Sequence, residues 1–315
     1  MGKKFLRGIN VSFLLLIIIS TFSSCANEMN VFEGNNNRQI NFSVSVPEWK
    51  NTDSLATTKI TRAMPVGGTI LSTSNTFNLI ADQNDGAGNY STLISSQAVS
   101  YTNHIWKTSN DYYWSGTANK TISFYAYYPS TISNISHTAG SSPTLSYTVP
   151  DNVSDQIDIM TATNNNVNGN TNSSTPLTFN HIFAAIQFSV GSAGIGSGTI
   201  SSISIGNVAN SGTYTFGSGW SNVTGSKAFT ISQSKTIAGT SGEDIYSGNY
   251  TLMMIPQDVN NITITVTYSN GGALTKTISG KWEAGKVYKY NLSYQPRDFA
   301  YTGTVQTYTA PVTGT

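Results

Sequence analysis

The sequence predicts an all-β protein made of two β-sandwich domains in tandem. Its polarity is carried by Ser, Thr, Asn and Gly, since only 10% of the 315 residues are charged. Short apolar and aromatic segments recur between turn-forming residues, as they do in sandwiches and barrels. No long segment shows the 3.6-residue apolar period of an amphipathic helix. These three observations together favour an extracellular β protein.

The first 24 residues are typical of a signal peptide that directs export. A basic start precedes the apolar run Val11–Ile19, and small residues then lead into Cys25. The run is shorter than the about 20 residues that a membrane-spanning helix needs. Cys25 is the only cysteine, and it stands where a bacterial lipoprotein would be cut and acylated. The alternative is an ordinary secretory signal with an incidental cysteine. In both interpretations the protein leaves the cytoplasm.

After a polar tether over residues 25–37, the first domain opens with strict alternation of apolar and polar residues. The apolar side chains are Ile40, Phe42, Val44 and Val46. Alternation of this kind predicts a strand with one buried face, and Pro47 ends it. An aromatic region follows, in which Thr121–Tyr128 is the clearest further strand.

The polar run Asn164–Pro176 predicts a long loop or a linker between domains. We therefore expect an N-terminal sandwich over residues 38–176 and a C-terminal sandwich over residues 177–295. The second sandwich would open with one strand over Leu177–Val190. Its further predicted strands are Thr199–Ile205, Gly212–Phe216, Lys227–Ile231, Tyr250–Ile255, Ile262–Tyr268, Ala273–Ile278 and Val287–Leu292. Residues 296–315 predict a linker and the start of a further β segment. Either the chain is truncated there, or this tail is an extra strand available for donation.

Catalytic and metal-binding patterns are missing from the sequence. His104, His137 and His181 are far apart and lack the spacing of a metal site. His181 lies on a predicted strand with Phe179 and Phe183, so we expect it to be structural. The 16 basic residues nearly balance the 15 acidic ones, which excludes a basic footprint for nucleic acid. We therefore expect a non-enzymatic protein without a metal or cofactor and without a nucleic-acid partner.

Five sequence blocks, taken in their order and spacing, carry a family resemblance. They are Phe124–Pro129, Asp158–Ala162, Leu177–Phe188, Leu252–Gln257 and Trp282–Leu292. Behind a lipoprotein leader, they resemble the fimbrillin family, the subunits and accessory proteins of type V pili in Gram-negative bacteria. The resemblance covers roughly residues 38–295. It implies two transthyretin-like β-sandwich domains, a lipid anchor in the outer membrane, a place at the cell surface or in a pilus, and other pilin subunits as partners.

The resemblance also implies a role for Arg62 and Ala63. Many family members are cut after an arginine by a trypsin-like protease, and a cut here would remove the strand over residues 40–46. An apolar stripe and unpaired backbone groups would remain, which a strand from a neighbouring subunit could fill. The alternative is that Arg62 is an ordinary solvated arginine. Tip and anchor subunits that keep their first strand fit that alternative.

The leading interpretation is a non-enzymatic surface lipoprotein that assembles by strand exchange or decorates a pilus, in adhesion. The alternative is a glycan-binding surface lipoprotein whose exposed aromatic side chains stack on sugar rings. The candidate side chains are Trp106, Trp114 and Trp220. Against this stands the simpler interpretation that tryptophans fill the sandwich core.

We expect Cys25→Ala to abolish acylation, because the chain has no other thiol. Metabolic labelling with a fatty-acid probe measures this, and Asn30→Ala is the control that should still be labelled. Stable membrane anchoring needs two or more acyl chains, so the Cys25→Ala variant should also leave the membrane fraction. Equal labelling of both variants would refute the assignment.

Overall fold

A computed structural model of the chain describes residues 39–49, 66–67, 71–117, 119–169, 174–294 and 303–306. The predicted signal peptide, Cys25, the tether, Arg62 and Ala63 lie outside these residues. Across the described ranges the chain folds into strands and two short 3₁₀ turns, Val153–Asp155 and Gly248–Tyr250. In that part of the chain, none of the helical segments has the length and apolar character to cross a membrane.

The strands are numbered in chain order. They are β1 (Phe42–Ser45), β2 (Phe77–Asn84), β3 (Tyr90–Thr102), β4 (Ile105–Thr108), β5 (Thr121–Tyr128), β6 (Ile135–Ser136), β7 (Thr144–Thr148), β8 (Met160–Val167), β9 (Thr175–Thr178), β10 (Asn180–His181), β11 (Ala184–Val190), β12 (Gly198–Val208), β13 (Ser211–Thr215), β14 (Gly219–Thr224), β15 (Lys227–Ile231), β16 (Lys235–Ile237), β17 (Asp244–Tyr246), β18 (Leu252–Met254), β19 (Asp258–Tyr268), β20 (Ala273–Lys281), β21 (Val287–Tyr294) and β22 (Gly303–Gln306).

The first sheet has eight strands in the order β10-β8-β5-β2-β3-β4-β1-β9. Its end strands β9 and β10 are separated in the chain only by Phe179, so the sheet curls until its two edges come together. The first core lies against this sheet and is rich in aromatic rings. Phe77 and Phe179 meet edge to face with their ring centroids 5.0 Å apart. The curl thus gives the first half its own core.

The second half is built on two five-stranded sheets. One joins β17, β11, β21 and β22, with β18 also pairing with β11; the other joins β15, β12, β19 and β20, with β16 also pairing with β12. All seven residues of β11 are buried, because this strand pairs on both sides and is covered on both faces. Apolar side chains of both sheets form one second core.

A four-stranded sheet in the order β14-β13-β7-β6 joins the two halves. The strands β6 and β7 come from the first half, and β13 and β14 come from the second. The central pairing is antiparallel, with Thr213 opposite Ser146. The faces of β2 and β5 that point away from the first core add Ile80, Tyr125 and Tyr127 to the second core. The two halves therefore share both backbone hydrogen bonds and apolar contacts.

The all-β class predicted from the sequence is confirmed, but two predicted segments are wrong. The single strand expected over Leu177–Val190 is three strands, because the chain leaves the first sheet after β10 and enters another at β11. The loop expected over Asn164–Pro176 is partly strand. β8 runs on to Val167, which pairs with Ile122 of β5, and β9 begins at Thr175.

The change from one core to the other falls between Phe179 and Ile182. Leu177 and Phe179 pack in the first core, although the sequence assigned them to the second domain. Ile182 and the residues of β11 pack in the second core. The division into domains at residue 176 stays a prediction. In the tail, Gly303–Gln306 forms β22 and pairs antiparallel with β21.

We expect Phe188→Ala to lower the free energy of unfolding by about 3–5 kcal/mol, as for other buried aromatic side chains. Phe188 is fully buried in β11, as the sequence predicted for Phe179, Phe183 and Ile186 as well. Tyr113 is 51% exposed, so Tyr113→Ala is the matched aromatic control. Denaturant unfolding measures both variants, and equal midpoints would show that the packing of β11 is wrong.

Candidate functional site

The candidate site is the position of β1 inside the first sheet, which we call the strand slot and define by its two neighbours β4 and β9. β1 pairs antiparallel with β4, where Phe42 lies opposite Trp106. It pairs in parallel with β9, from Phe42 opposite Thr175 to Ser45 opposite Thr178. The first strand of the described chain is therefore an interior strand of the sheet.

Backbone groups on both sides of the strand slot depend on this segment. The Ile40 amide donates to the Tyr112 carbonyl at 2.7 Å. In return, the amides of Thr175 and Phe179 donate to the carbonyls of Asn41 and Ser45, each at 2.9 Å. Buried backbone groups left without a partner are costly. Removal of the segment would therefore leave both neighbouring strands with open backbone groups.

The side chains of the segment alternate between the core and the surface. Ile40, Phe42 and Val46 are 2%, 3% and 2% exposed, respectively. Val44 is half-buried and packs against the same core. Ser43 and Ser45 on the other face are exposed. The four apolar side chains that the sequence singled out thus form the core-facing side of the segment 40–46, which contains β1.

A buried carboxylate–imidazole pair lies beyond the end of β1. His181 of β10 faces Asp158, which comes just before β8, and its Nδ1 lies 3.1 Å from Oδ1 and 2.9 Å from Oδ2 of Asp158. Both side chains are buried. The Trp49 ring stacks on the His181 imidazole, with centroids 4.1 Å apart and planes at 27°. His181 has a structural role in this arrangement. The sequence block that contains Asp158 gave no indication that this carboxylate pairs with His181.

Asp158 also holds the chain on the far side of the segment that carries Arg62. Its Oδ2 accepts a hydrogen bond from the Val66 amide at 2.8 Å. Trp49 precedes residues 50–65 and Val66 follows them, so Asp158 bonds directly to one end of that stretch and reaches the other through His181, on which Trp49 stacks. Burial, with a smaller contribution from the Asp158 charge, raises the pKa of the nearby Tyr128.

The other two histidines occupy local structural positions. His137 Nε2 lies 2.9 Å from Oδ2 of the buried Asp82, which also accepts the Gly140 amide at 2.9 Å. His104 sits at a positive φ of 65° in the turn between β3 and β4. Over the ranges that the structure describes, three or more His, Cys, Asp or Glu side chains nowhere gather closely enough to hold a metal ion.

The tryptophans named for sugar stacking lie mostly in the core, in agreement with the simpler interpretation that tryptophans fill the sandwich. Trp106 and Trp114 are each 6% exposed and pack against Phe77 and Phe124, respectively. Trp220 is half-buried, and its Nε1 donates to the Ile182 carbonyl at 2.7 Å. The indole rings of Trp106 and Trp114 fill space between strands, and that of Trp220 packs against Phe183 and Tyr214.

Comparison with known proteins gives one family. A family model described as fimbrillin-like matches residues 61–311. A comparison with curated proteins finds no match. Among solved structures, a "putative cell adhesion protein" from Bacteroides ovatus is similar at a TM-score of 0.57 and 14% identity, over 86% of this chain and 96% of that one. One from Bacteroides uniformis has a TM-score of 0.49 and 15% identity, over 87% and 100% of the two chains.

We expect Asp158→Ala to lower the free energy of unfolding by about 3–5 kcal/mol, because it leaves a buried imidazole and the Val66 amide without their acceptor. The exposed Asp155 lies three residues earlier, and Asp155→Ala should change stability by only about 0.5 kcal/mol. Chemical denaturation measures both variants. A similar loss in the two would contradict the role given to the buried pair.

Proposed function

The chain belongs to the fimbrillin-like family, whose model matches residues 61–311, and on this basis we propose that it is a non-enzymatic, pilus-associated adhesion protein of the cell surface. The family match supports a structural role with other fimbrial subunits as partners. The fold likeness to the Bacteroides ovatus protein agrees with it. The burial of Trp106 and Trp114 weighs against sugar stacking as the main function.

The proposal includes assembly by strand exchange at the strand slot. The observation that supports it is that β1 is interior to a sheet and yet is the first strand of the described chain. A terminal strand can leave between two neighbours without unthreading any other part of the fold. The slot would then offer two rows of backbone groups and an apolar floor, which an extended segment of another subunit satisfies.

The free energy of apolar burial favours a strand slot filled by a replacement strand over an empty one. Burial of a large apolar side chain contributes roughly 1.5–3 kcal/mol, so the three buried ones of the segment, Ile40, Phe42 and Val46, contribute ~4.5–9 kcal/mol before entropy is counted, and half-buried Val44 adds a smaller share. A whole domain is stable by only about 5–15 kcal/mol. Loss of β1 would therefore remove most of the stability of the first half, and a protein without it would bind a replacement strand tightly.

The same proposal assigns the parts that lie outside the described residues. Acylated Cys25 would anchor the precursor in the outer membrane. A trypsin-like protease would cut between Arg62 and Ala63 and release β1, because a cut there separates it from the rest of the chain. If the first strand is kept, the protein is instead a tip or anchor subunit, and the strand slot stays filled by its own β1.

We expect limited trypsin digestion of the soluble chain to produce a new N-terminus at Ala63 and then oligomers. The reason is that the cut frees β1 while each slot needs a strand. N-terminal sequencing and size-exclusion chromatography measure the two steps. Trypsin also cuts after Lys50 and Lys59, so the test uses a Lys50→Gln, Lys59→Gln background, which should still be cut at Arg62 and assemble. Adding Arg62→Gln to that background should block both steps.

Cleavage at Arg62 that leaves only stable monomers would contradict strand exchange. Resistance at Arg62 would contradict processing and favour a tip or anchor subunit. The two failures are distinguishable because sequencing reports the cut and chromatography reports assembly.

A further inference from the structure

The N-terminal segment contacts both cores of the molecule. Ile40, Phe42 and Val46 are buried in the first core. Trp49, three residues after Val46, is buried in the second. Pro47 and Glu48 between them are exposed, so the chain crosses the surface and enters the fold again at Trp49. A strand alone would not require this second point of attachment.

Trp49 packs on a surface that we call the His181–Asp158 platform. It consists of the His181 ring, on which the indole stacks, and the Asp158 carboxylate, which holds that ring in place. The carboxylate fixes the orientation of the imidazole through Nδ1, at 2.9 Å from Oδ2. The platform is fixed to the rest of the fold independently of Trp49, since His181 pairs with Met160 through the backbone of β8. It would therefore persist if Trp49 were withdrawn.

Two buried nitrogen atoms at this contact have no hydrogen-bond partner among the described residues. They are Nε1 of Trp49 and Nε2 of His181. An unpartnered buried polar atom lowers the stability of the state that buries it. Trp49 is thus held by ring stacking and by burial, and not by a hydrogen bond of its indole. The contact selects a flat ring of sufficient size and leaves Nε2 of His181 available to an occupant that can donate to it.

We propose that the His181–Asp158 platform is an aromatic-recognition subsite of the strand slot. In the intact chain it anchors the N-terminal segment through Trp49. In the exchanged state, which rests on the strand exchange proposed above, it receives an aromatic side chain from the incoming strand of another subunit. The N-terminal segment, which occupies the slot in the intact chain, gives the residue spacing expected of an incoming strand. Apolar residues alternate as in Ile40–Val46, and an aromatic residue follows three positions after the last of them. The subsite extends recognition from the first core to the second.

The anchor is tested in the intact chain, without any cleavage. Amide hydrogen exchange over residues 40–46 should be about tenfold faster or more in Trp49→Ala, because local opening no longer has to unstack the ring. Glu48→Ala is the matched control, since Glu48 is exposed and adjacent. Equal exchange in the two variants would overturn the anchor.

The subsite is tested with peptides, so that folding of the receptor is not affected. The full chain, cut at Arg62, is mixed with an excess of fluorescent peptide of residues 39–49, and binding is followed by anisotropy. The Trp49→Ala peptide should bind about tenfold or more weakly, whereas the Trp49→Phe peptide should stay within about threefold, because it keeps a stacking ring. The Glu48→Ala peptide should bind like the natural one.

Natural and Trp49→Ala peptides that bind equally would overturn the aromatic subsite while leaving strand exchange in place. Binding of none of the peptides would count against strand exchange and would overturn the receptor role of the platform with it. The hydrogen-exchange measurement on the intact chain would still decide whether Trp49 is the anchor. The anchor role of Trp49 and the receptor role of the platform can therefore fail separately.

Discussion

The placement of β1 between β4 and β9 is the constraint on which the rest of the first half depends. Every other pairing in the eight-stranded sheet joins strands that come later in the chain. Without β1, β4 and β9 would lose their common neighbour, and the curled sheet would be open at that point. The floor of the first core would also lose Ile40, Phe42 and Val46. One short segment thus completes a sheet and a core at the same time.

The second half does not depend on β1 in the same way, but it is coupled to it. The four-stranded sheet of β14, β13, β7 and β6 joins backbone groups of both halves. Trp49 adds a side-chain connection, because it follows β1 closely and is buried in the second core. The strand slot and the second half are therefore connected both by packing and by backbone hydrogen bonds. This is the physical reason that the halves act as one structural unit around the slot.

Local patterns in the sequence predict the parts of this structure that have one buried face. Ile40–Val46 alternates because only one side of β1 meets the core. β5 does not alternate, since its two faces serve two different cores, and its aromatic content alone indicated a strand. No local feature of the sequence marks the change of sheet between β9 and β11. An apolar residue such as Phe179 would be buried in either sheet, so its identity does not tell which sheet it joins. β8 continues through the polar residues Asn164–Asn166 to the buried Val167 because β5 pairs with it, which is a tertiary effect.

The candidate site also contains contacts that local sequence patterns cannot predict. The sequence identified the apolar face of β1, yet Trp49 falls after Pro47 and outside the period of two. Its contact with His181 depends on the chain crossing the surface at Pro47 and Glu48, and the pairing of His181 with Asp158 joins residues 23 positions apart. Because Asp158 also accepts the Val66 amide, the stretch that carries Arg62 is held at both ends before any cut. A cut inside such a stretch frees the N-terminal side while Val66 stays bonded to Asp158, so the platform remains in place on the larger fragment. The same carboxylate that stabilises the intact chain would therefore preserve the binding surface after processing.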